Sequence, residues 1–413
     1  MRAIASSAVS IAVVKGAPVA SRVVVLLAIA RLAAPHDLAL ASYAIAISEA
    51  LKMFGDTGID TWAVRALGRA SAGYDGSRLT SAVTLVKILF GLAGGIVAAA
   101  ITHWTGHAGA VLVLASGLLV LAGETFGAGV IYYLSLDAPA KLLPVSLFSM
   151  AFIPALATGL LLHGIDASWA CASVAFAECL VAAYVLASLR RSRIVAVHPG
   201  ILSEARDVAR QSLPTSAYSA VLAVYLRLDA FALISFSASA YAAYALAFRA
   251  IQPFSFAFGA ISLAFYSAQV RGGGRHALAP GRQMMWIIGT LFTLASAAAI
   301  VTYAFCAWAI ANFVPAYADS RGALQLLCVL LPVAAVNNIT YYVLAGDGRF
   351  KAILGVVSLG LVSEAILLWW LVPSMGARGA ALSLLLSMVI GCAVLFWLIS
   401  RPRPLREASR VAG

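Results

Sequence analysis

Twelve apolar runs, each long enough to cross a bilayer as a helix, leave this 413-residue chain little choice of fold. A hydrocarbon core of about 30 Å takes about 20 helical residues. The runs fall near 8–33, 38–62, 79–101, 109–134, 141–163 and 166–189, then 211–236, 239–268, 283–311, 322–345, 350–372 and 377–399. None has the alternating ten-residue pattern of a transmembrane barrel strand, so the spans are read as helices. With 63% hydrophobic and 11% charged residues and a mean hydropathy of +0.97, the chain is excluded from the soluble globular class. The expected fold is an all-α polytopic membrane protein.

The longest polar stretch runs from Arg190 to Arg210 and contains His198-Pro199-Gly200. It divides the chain into a six-helix half at 1–189, a linker at 190–210 ending in a short surface helix, a second six-helix half at 211–400, and a basic tail at 401–413. Six spans return the chain to its starting side, which allows a parallel internal repeat. A weak echo supports it: Tyr43-Ala44-Ile45-Ala46-Ile47 recurs as Tyr244-Ala245-Leu246-Ala247-Phe248, and Phe54-Gly55 as Phe258-Gly259.

Basic residues collect in alternate connections. One set carries Arg2, Arg65, Arg69, Arg78, Lys141, five linker arginines, Arg271, Arg275, Arg282, Arg349, Lys351 and the tail arginines, whereas the other has only Arg31, Arg321 and Arg378. Positive charge is retained on the cytoplasmic side, so both termini are expected to be cytoplasmic and the span count even. The same bias accounts for most of the net charge of +12, and the aromatic and basic grooves of nucleic-acid binders are absent. Lys15 and Arg22 interrupt the first apolar run, which argues against a signal peptide.

Six basic residues lie inside the spans: Lys15 and Arg22 in the first, Lys52 in the second, Lys87 in the third, Arg227 in the seventh and Arg249 in the eighth. A charge at bilayer depth costs on the order of 2.5–3.5 kcal/mol on insertion scales and is normally kept only toward a bundle interior or wet cavity. Their distribution points to a cationic cavity for an anionic cargo. Structural readings stand beside it. Glu49, Lys52 and Asp56 are spaced so that Lys52 can be neutralised along its own helix, and Lys15 is near enough to the span's end to snorkel. Arg22 and Arg249 have no acid on their own spans, although Gln252 lies one turn from Arg249, so they need partners from other helices, lipid headgroups or a ligand. Arg227 and Asp229 are two apart and face different directions on a helix; one can serve the cavity while the other ties the seventh span to a neighbour. The lone acids Glu124, Glu178 and Glu364 are read either as partners for these arginines or as carriers of a coupling proton.

Little else carries chemistry. Cys171, Cys179, Cys306, Cys328 and Cys392 sit in apolar runs without metal-ligand spacing and read as packing residues. His103 and His107 are four apart, but Gly106 and the short connection favour a solvated turn over a metal site. Gly272-Gly273-Gly274 lacks the Gly-Lys-Ser/Thr ending of a phosphate loop, so no ATPase is expected. Neither a cofactor nor a metal is implied, and Pro18, Pro214, Pro253 and Pro332 are candidate hinges.

Taken in order, a set of short motifs resembles a known superfamily. They are the Tyr43 region followed by Gly55-Asp56-Thr57-Gly58, then Ser212-Leu213-Pro214 leading to Leu226-Arg227-Leu228-Asp229, then Tyr244-Ala245-Leu246-Ala247-Phe248-Arg249, Gly346-Asp347-Gly348-Arg349 and Gly376-Ala377-Arg378-Gly379-Ala380. The chain resembles the multidrug/oligosaccharidyl-lipid/polysaccharide (MOP) exporters, and within them the polysaccharide-unit flippases called Wzx. That resemblance implies 12 transmembrane helices in two six-helix lobes around a central cavity lined by helices one, two, seven and eight, a MATE-like fold working by alternating access. It implies a non-enzyme of the bacterial inner membrane that moves undecaprenyl-diphosphate-linked oligosaccharide for O-antigen, capsule or exopolysaccharide synthesis. Membrane lipids are then partners, a polysaccharide polymerase and chain-length machinery are left open as further ones, and nucleic acid is not.

The physics is compatible with that cargo. Arginine presents a fork suited to phosphate, and with a negative cytoplasm two negative charges gain roughly 4–5 kcal/mol per 100 mV on moving outward. A multidrug antiporter for organic cations is the rival within the superfamily, and it wants acids in the cavity. A peptidoglycan-precursor flippase of the MurJ type usually carries two helices beyond twelve. A membrane glycan polymerase or glycosyltransferase wants a sizeable outer loop, whereas the largest one here, Asn312 to Arg321, has only Asp319 as an acid.

Overall fold

The computed structural model describes residues 2–69, 74–106, 108–136, 138–271, 282–346 and 349–400; within helices, some side chains, including those of Lys15, Asp56 and Pro214, are also outside the described set. The Gly272-Gly273-Gly274 segment, His107, Asp347, Gly348 and the basic tail lie outside the described residues.

Thirteen α-helices form among the described residues, and no strand does. The first six are α1 (Arg2–Leu32), α2 (Pro35–Arg69), α3 (Tyr74–Gly106), α4 (Ala110–Ser135), α5 (Leu143–Leu162) and α6 (Ala167–Arg191). The remainder are α7 (Ile201–Tyr225), α8 (Leu228–Phe236), α9 (Ala238–Arg271), α10 (Arg282–Phe313), α11 (Ser320–Gly346), α12 (Phe350–Met375) and α13 (Ala377–Ser400). Short 3-10 turns at Pro139–Leu142 and Pro315–Tyr317 complete the described elements.

Eleven stretches are long and apolar enough to cross a membrane. The twelfth expected span is α9, 34 residues long and outside those eleven. Its polar residues Tyr241, Tyr244, Arg249 and Gln252 dilute its apolar character and are all buried in protein, so this helix faces its neighbours with the groups a lipid-facing helix would exclude.

The seventh span differs from the sequence expectation. It is two helices, α7 and α8, interrupted at Leu226 and Arg227, with the Arg227 backbone at φ −133°, ψ 1°. The N–H of Arg227 bonds to the carbonyl of Val224 at 3.1 Å and its own carbonyl accepts from Phe231 at 3.2 Å, so the break keeps its backbone groups satisfied as depth in a membrane requires. Pro214, the expected hinge, lies within α7, twelve residues before the break. The linker's surface helix is the start of α7, which runs unbroken from Ile201 into the span.

Packing follows chain order. α1 packs on α5, α4 on α2, α3 and α6, while α11 packs on α9, α10 and α13, and α12 on α13. The first six helices meet the rest mainly through α1 on α9 and α2 on α7 and α9. Small residues set the closest approaches, as expected where apolar lipid offers no hydrophobic drive between helices. A Cβ on Gly95 of α3 would lie 2.8 Å from the Gly117 carbonyl of α4. The Gly376-to-Ala380 motif is a helix hairpin: Gly376 takes φ +54° to end α12, where a left-handed residue is cheapest as glycine. Gly379 lies against the Leu371 carbonyl, where a side chain would collide.

Substituting Gly95→Leu is expected to force α3 and α4 apart and destabilise the protein by about 1–3 kcal/mol. Thermal unfolding of the detergent-solubilised protein checks this, and Gly109→Leu, where a Cβ meets nothing within 4 Å, serves as the control.

Candidate functional site

Arg22 projects from the middle of α1, Glu49 from α2, Glu178 from α6, Arg227 from the break between α7 and α8, and Arg249 with Gln252 from α9. All six are buried. Arg22 makes a forked pair with Glu178, Nε to Oε1 at 2.8 Å and Nη2 to Oε2 at 2.6 Å. This two-pronged geometry is among the strong arrangements for a guanidinium. Its Nη1 reaches Glu49 Oε1 at 3.2 Å.

Glu49 is the point on which three guanidinia converge. Arg227 Nη2 donates to Oε2 at 2.6 Å, and Arg249 Nη1 lies 2.7 Å from both carboxylate oxygens. Gln252 closes the ring: its amide nitrogen donates to Glu49 at 2.9 Å and its oxygen accepts from Arg249 at 2.5 Å. The face of Phe248 lies 5.1 Å from the Arg227 guanidinium, a cation–π distance. Three cations against two carboxylates leave this cluster one positive charge in excess.

Sequence reading treated the arginines as lining a cationic cavity. In the structure they are turned onto acids and onto one another's partners, because an unpaired buried guanidinium pays a desolvation cost that other helices' carboxylates offset. Glu178, read as a lone acid, is the forked partner of Arg22. Glu49, expected to neutralise Lys52 along α2, faces the arginines instead. Lys52 has no hydrogen-bond or ion-pair partner among the described residues. Its stem crosses Gly123 of α4, and it borders, with Pro18 and Glu178, a cavity of about 20 Å³. Lys15 and Asp56 fall among the side chains outside the described set.

A second charged group lies within α2, α3 and α4. Lys87 is fully buried, with its Nζ 2.6 Å from Asp60 and 3.2 Å from Glu124. Glu124, expected to meet an arginine or carry a coupling proton alone, is thus beside a lysine. Asp60 was missed by sequence reasoning, although its position eleven residues after Glu49, three helical turns along α2, was a signal that it shares that helix's inward face.

A third group joins α8, α9 and α12. Asp229 accepts hydrogen bonds from the Ala230 N–H at 2.6 Å and from the Tyr244 hydroxyl. Arg227 and Asp229 do point apart, as expected, but the helix break rather than a helical wheel separates them. Glu364 of α12 is fully buried, and neither carboxylate oxygen has a hydrogen-bond partner among the described residues. Tyr225 and Ser387 pair nearby, hydroxyl to hydroxyl at 2.9 Å. His103 sits exposed in the last turn of α3, and Cys171 and Cys328 pack in the main apolar core.

The replacement Arg22→Leu strands Glu178 and is expected to cost about 3–5 kcal/mol, the usual penalty for breaking a buried pair from one side. Arg22→Leu with Glu178→Leu should recover part of that loss. Unfolding midpoints of the single and double variants in detergent decide it; additive losses sink the idea that the pair is a unit.

No protein-family model matches the chain, and no curated protein matches it in sequence. Solved structures do match it in three dimensions. The lipid II flippase MurJ in an inward closed conformation superposes with a TM-score of 0.71 at 15% identity, over 95% of this chain and 87% of that one. A multidrug resistance MATE family transporter of the MOP superfamily, in an outward-facing conformation, gives 0.67 at 14% identity over 96% and 94%. A MOP superfamily transporter from Pyrococcus furiosus, described as having a binding pocket of reversed polarity, gives 0.67 at 15% identity over 96% and 94%. The chain therefore has the all-α, twelve-span fold of the MATE and MOP transporters.

Proposed function

We propose that this protein is a flippase for an anionic, lipid-linked oligosaccharide, carried on undecaprenyl diphosphate across a bacterial inner membrane with both termini in the cytoplasm. The observation that carries the reading is the convergence of Arg22, Arg227 and Arg249, from three separate helices, on a single carboxylate. Guanidinia gathered about one small anion are pre-arranged for another of similar size, and a diphosphate offers several acceptor oxygens and about two negative charges.

The arrangement also suits alternating access. Glu49 belongs to the first six helices, whereas Arg227 and Arg249 belong to the later ones, so the charged cluster spans the seam between them. A diphosphate seated there is held by both sides as the seam opens to one face and then the other. The glycan occupies the space so opened, and the polyprenyl tail stays in lipid. Lys52 extends the cationic surface along α2, and Lys15 is a further candidate on α1. Asp229, Glu364 and Glu124 supply acids that can take up a coupling proton, with Asp56 a further candidate on α2.

A second reading has its own observation. Buried Asp229 and the unsatisfied carboxylate of Glu364 are groups that a MATE-like cation antiporter uses, and such a protein would bind an organic cation at the later helices.

Two experiments separate these. In a deletion strain of the source bacterium, cytoplasm-facing lipid-linked oligosaccharide is expected to accumulate and surface polysaccharide to disappear, with rescue by wild type but not by a normally inserted Arg249→Ala. Unchanged polysaccharide ends the oligosaccharide assignment. In proteoliposomes loaded with a lipid diphosphate oligosaccharide, collapsing an inside-negative potential should slow outward movement, since two charges gain roughly 4–5 kcal/mol per 100 mV. Insensitivity to potential together with drug efflux driven by a proton gradient would favour the antiporter.

A further inference from the structure

Glu49 and Lys52 are three residues apart on α2, a spacing that puts two side chains on one helix face within reach of each other. They do not pair. Glu49 holds three guanidinia and the Gln252 amide, and Lys52 is left without a hydrogen-bond or ion-pair partner among the described residues. The lysine is nevertheless held in place, because its stem lies against Gly123, where a Cβ would meet Cδ and Cε at 2.5 Å and Nζ at 2.8 Å. The cavity of about 20 Å³ that it borders has room for one water.

We propose that Glu49 is a two-position counter-ion. It sits on the arginines while they hold no cargo, and moves to Lys52 when a diphosphate or similar dianion takes its place. This rests on the preceding reading that the arginine cluster receives an anion, and it names how the site is vacated.

Charge and geometry support the exchange. With Glu49 in place the cluster has one positive charge in excess; with Glu49 on Lys52, three guanidinia face Glu178 alone and two remain. Two is the charge that a diphosphate diester brings. Glu178 is the carboxylate that stays, because it is gripped by both prongs of Arg22 at 2.6 and 2.8 Å. Glu49 is shared among side chains from opposite sides of the seam, so seam opening loosens it first. Gln252 changes role in the same step: its amide nitrogen, which now donates to Glu49, becomes a neutral donor to the arriving anion. No proton has to be taken up, since Glu49 passes from one cation to another.

Lys52 is in this scheme a positioning residue, and a double-mutant cycle separates that role from direct contact with the anion. The probe is symmetrical dimethyl diphosphate, a dianionic diester with one methyl on each phosphate, titrated calorimetrically into the full chain in lipid nanodiscs. Glu49→Gln removes the internal competitor and is expected to tighten binding about tenfold, and Lys52→Met removes the alternative seat and to weaken it about tenfold. In the Glu49→Gln background Lys52→Met should then change binding less than about twofold. An equal loss from Lys52→Met in both backgrounds makes Lys52 a plain contact and overturns the proposal, as does any failure of a folded Glu49→Gln protein to bind more tightly. Should Glu49→Gln not fold, Glu49→Ala takes its place in the same cycle, and unchanged binding with Lys52→Met in the wild-type background overturns the proposal. The predicted coupling in a protein whose deletion leaves polysaccharide intact keeps the switch and removes the oligosaccharide reading. Lost polysaccharide without coupling does the reverse.

Discussion

A carboxylate or guanidinium inside a bilayer carries a desolvation cost that a partner of opposite sign offsets, and the arginine cluster at the centre of this molecule is organised by that requirement. Arg22 and Glu178 satisfy it within the first six helices. Glu49 satisfies it across the seam, since its two strongest partners, Arg227 and Arg249, belong to the later helices. One carboxylate therefore ties the first six helices to the later ones where α1 packs on α9 and α2 on α7 and α9, while Arg78 with Glu204 and Arg31 with the Phe313 carbonyl make further polar contacts across the same division. Any motion that separates the two sets of helices at this depth leaves Glu49 with Arg22 alone and strips Arg227 and Arg249 of their carboxylate.

The break in the seventh span serves the same requirement. A continuous helix would place Arg227 and Asp229 about 200° apart, with one of them directed away from the protein's charged interior. Interrupting the helix at Leu226 and Arg227 lets Arg227 reach Glu49 while Asp229 begins α8 and meets Tyr244 of α9. An acid in the first turn of a helix is also favourably placed against its exposed N–H groups. The interruption thus gives two opposite charges two different partners from adjacent positions in the chain.

How far the sequence revealed this depends on the interaction concerned. Span positions were legible because a bilayer imposes a length and a composition that no soluble core demands; even α9, whose interior-facing polar residues weaken its apolar signal, was found by its run length. The helix break was not legible, since neither Leu226 nor Arg227 is a residue that interrupts helices by backbone chemistry, and Pro214, which is, remains within α7. The basic residues were legible as a set, because lysine and arginine stand out against 63% hydrophobic sequence. Their partners were not. Arg22 and Glu178 are 156 residues apart and Arg249 and Glu49 are 200 apart, and pairing at that distance is decided by how helices pack rather than by anything local. Local spacing pointed Glu49 at Lys52, and the stronger claim of three arginines, two of them across the seam, overrode it.

That override changes what a cluster of buried arginines means in a membrane protein. An open cationic cavity would bind its cargo by simple attraction and would carry a large desolvation penalty when empty. A cluster whose three guanidinia are offset by Glu49 and Glu178 to one positive charge in excess carries a smaller one, and on the proposed exchange it would bind cargo only to the extent that the cargo is a better partner than Glu49. Affinity then depends on the difference between two anions, not on the number of arginines, since a ligand can shift an equilibrium only by its differential interaction with the two states. A dianion with several acceptor oxygens exceeds a single carboxylate in both charge and hydrogen-bond capacity, whereas a monocarboxylate gains nothing from the exchange. Selectivity for doubly charged head groups would then be set by an acid in the binding cluster, a role that the sign of its charge alone would argue against.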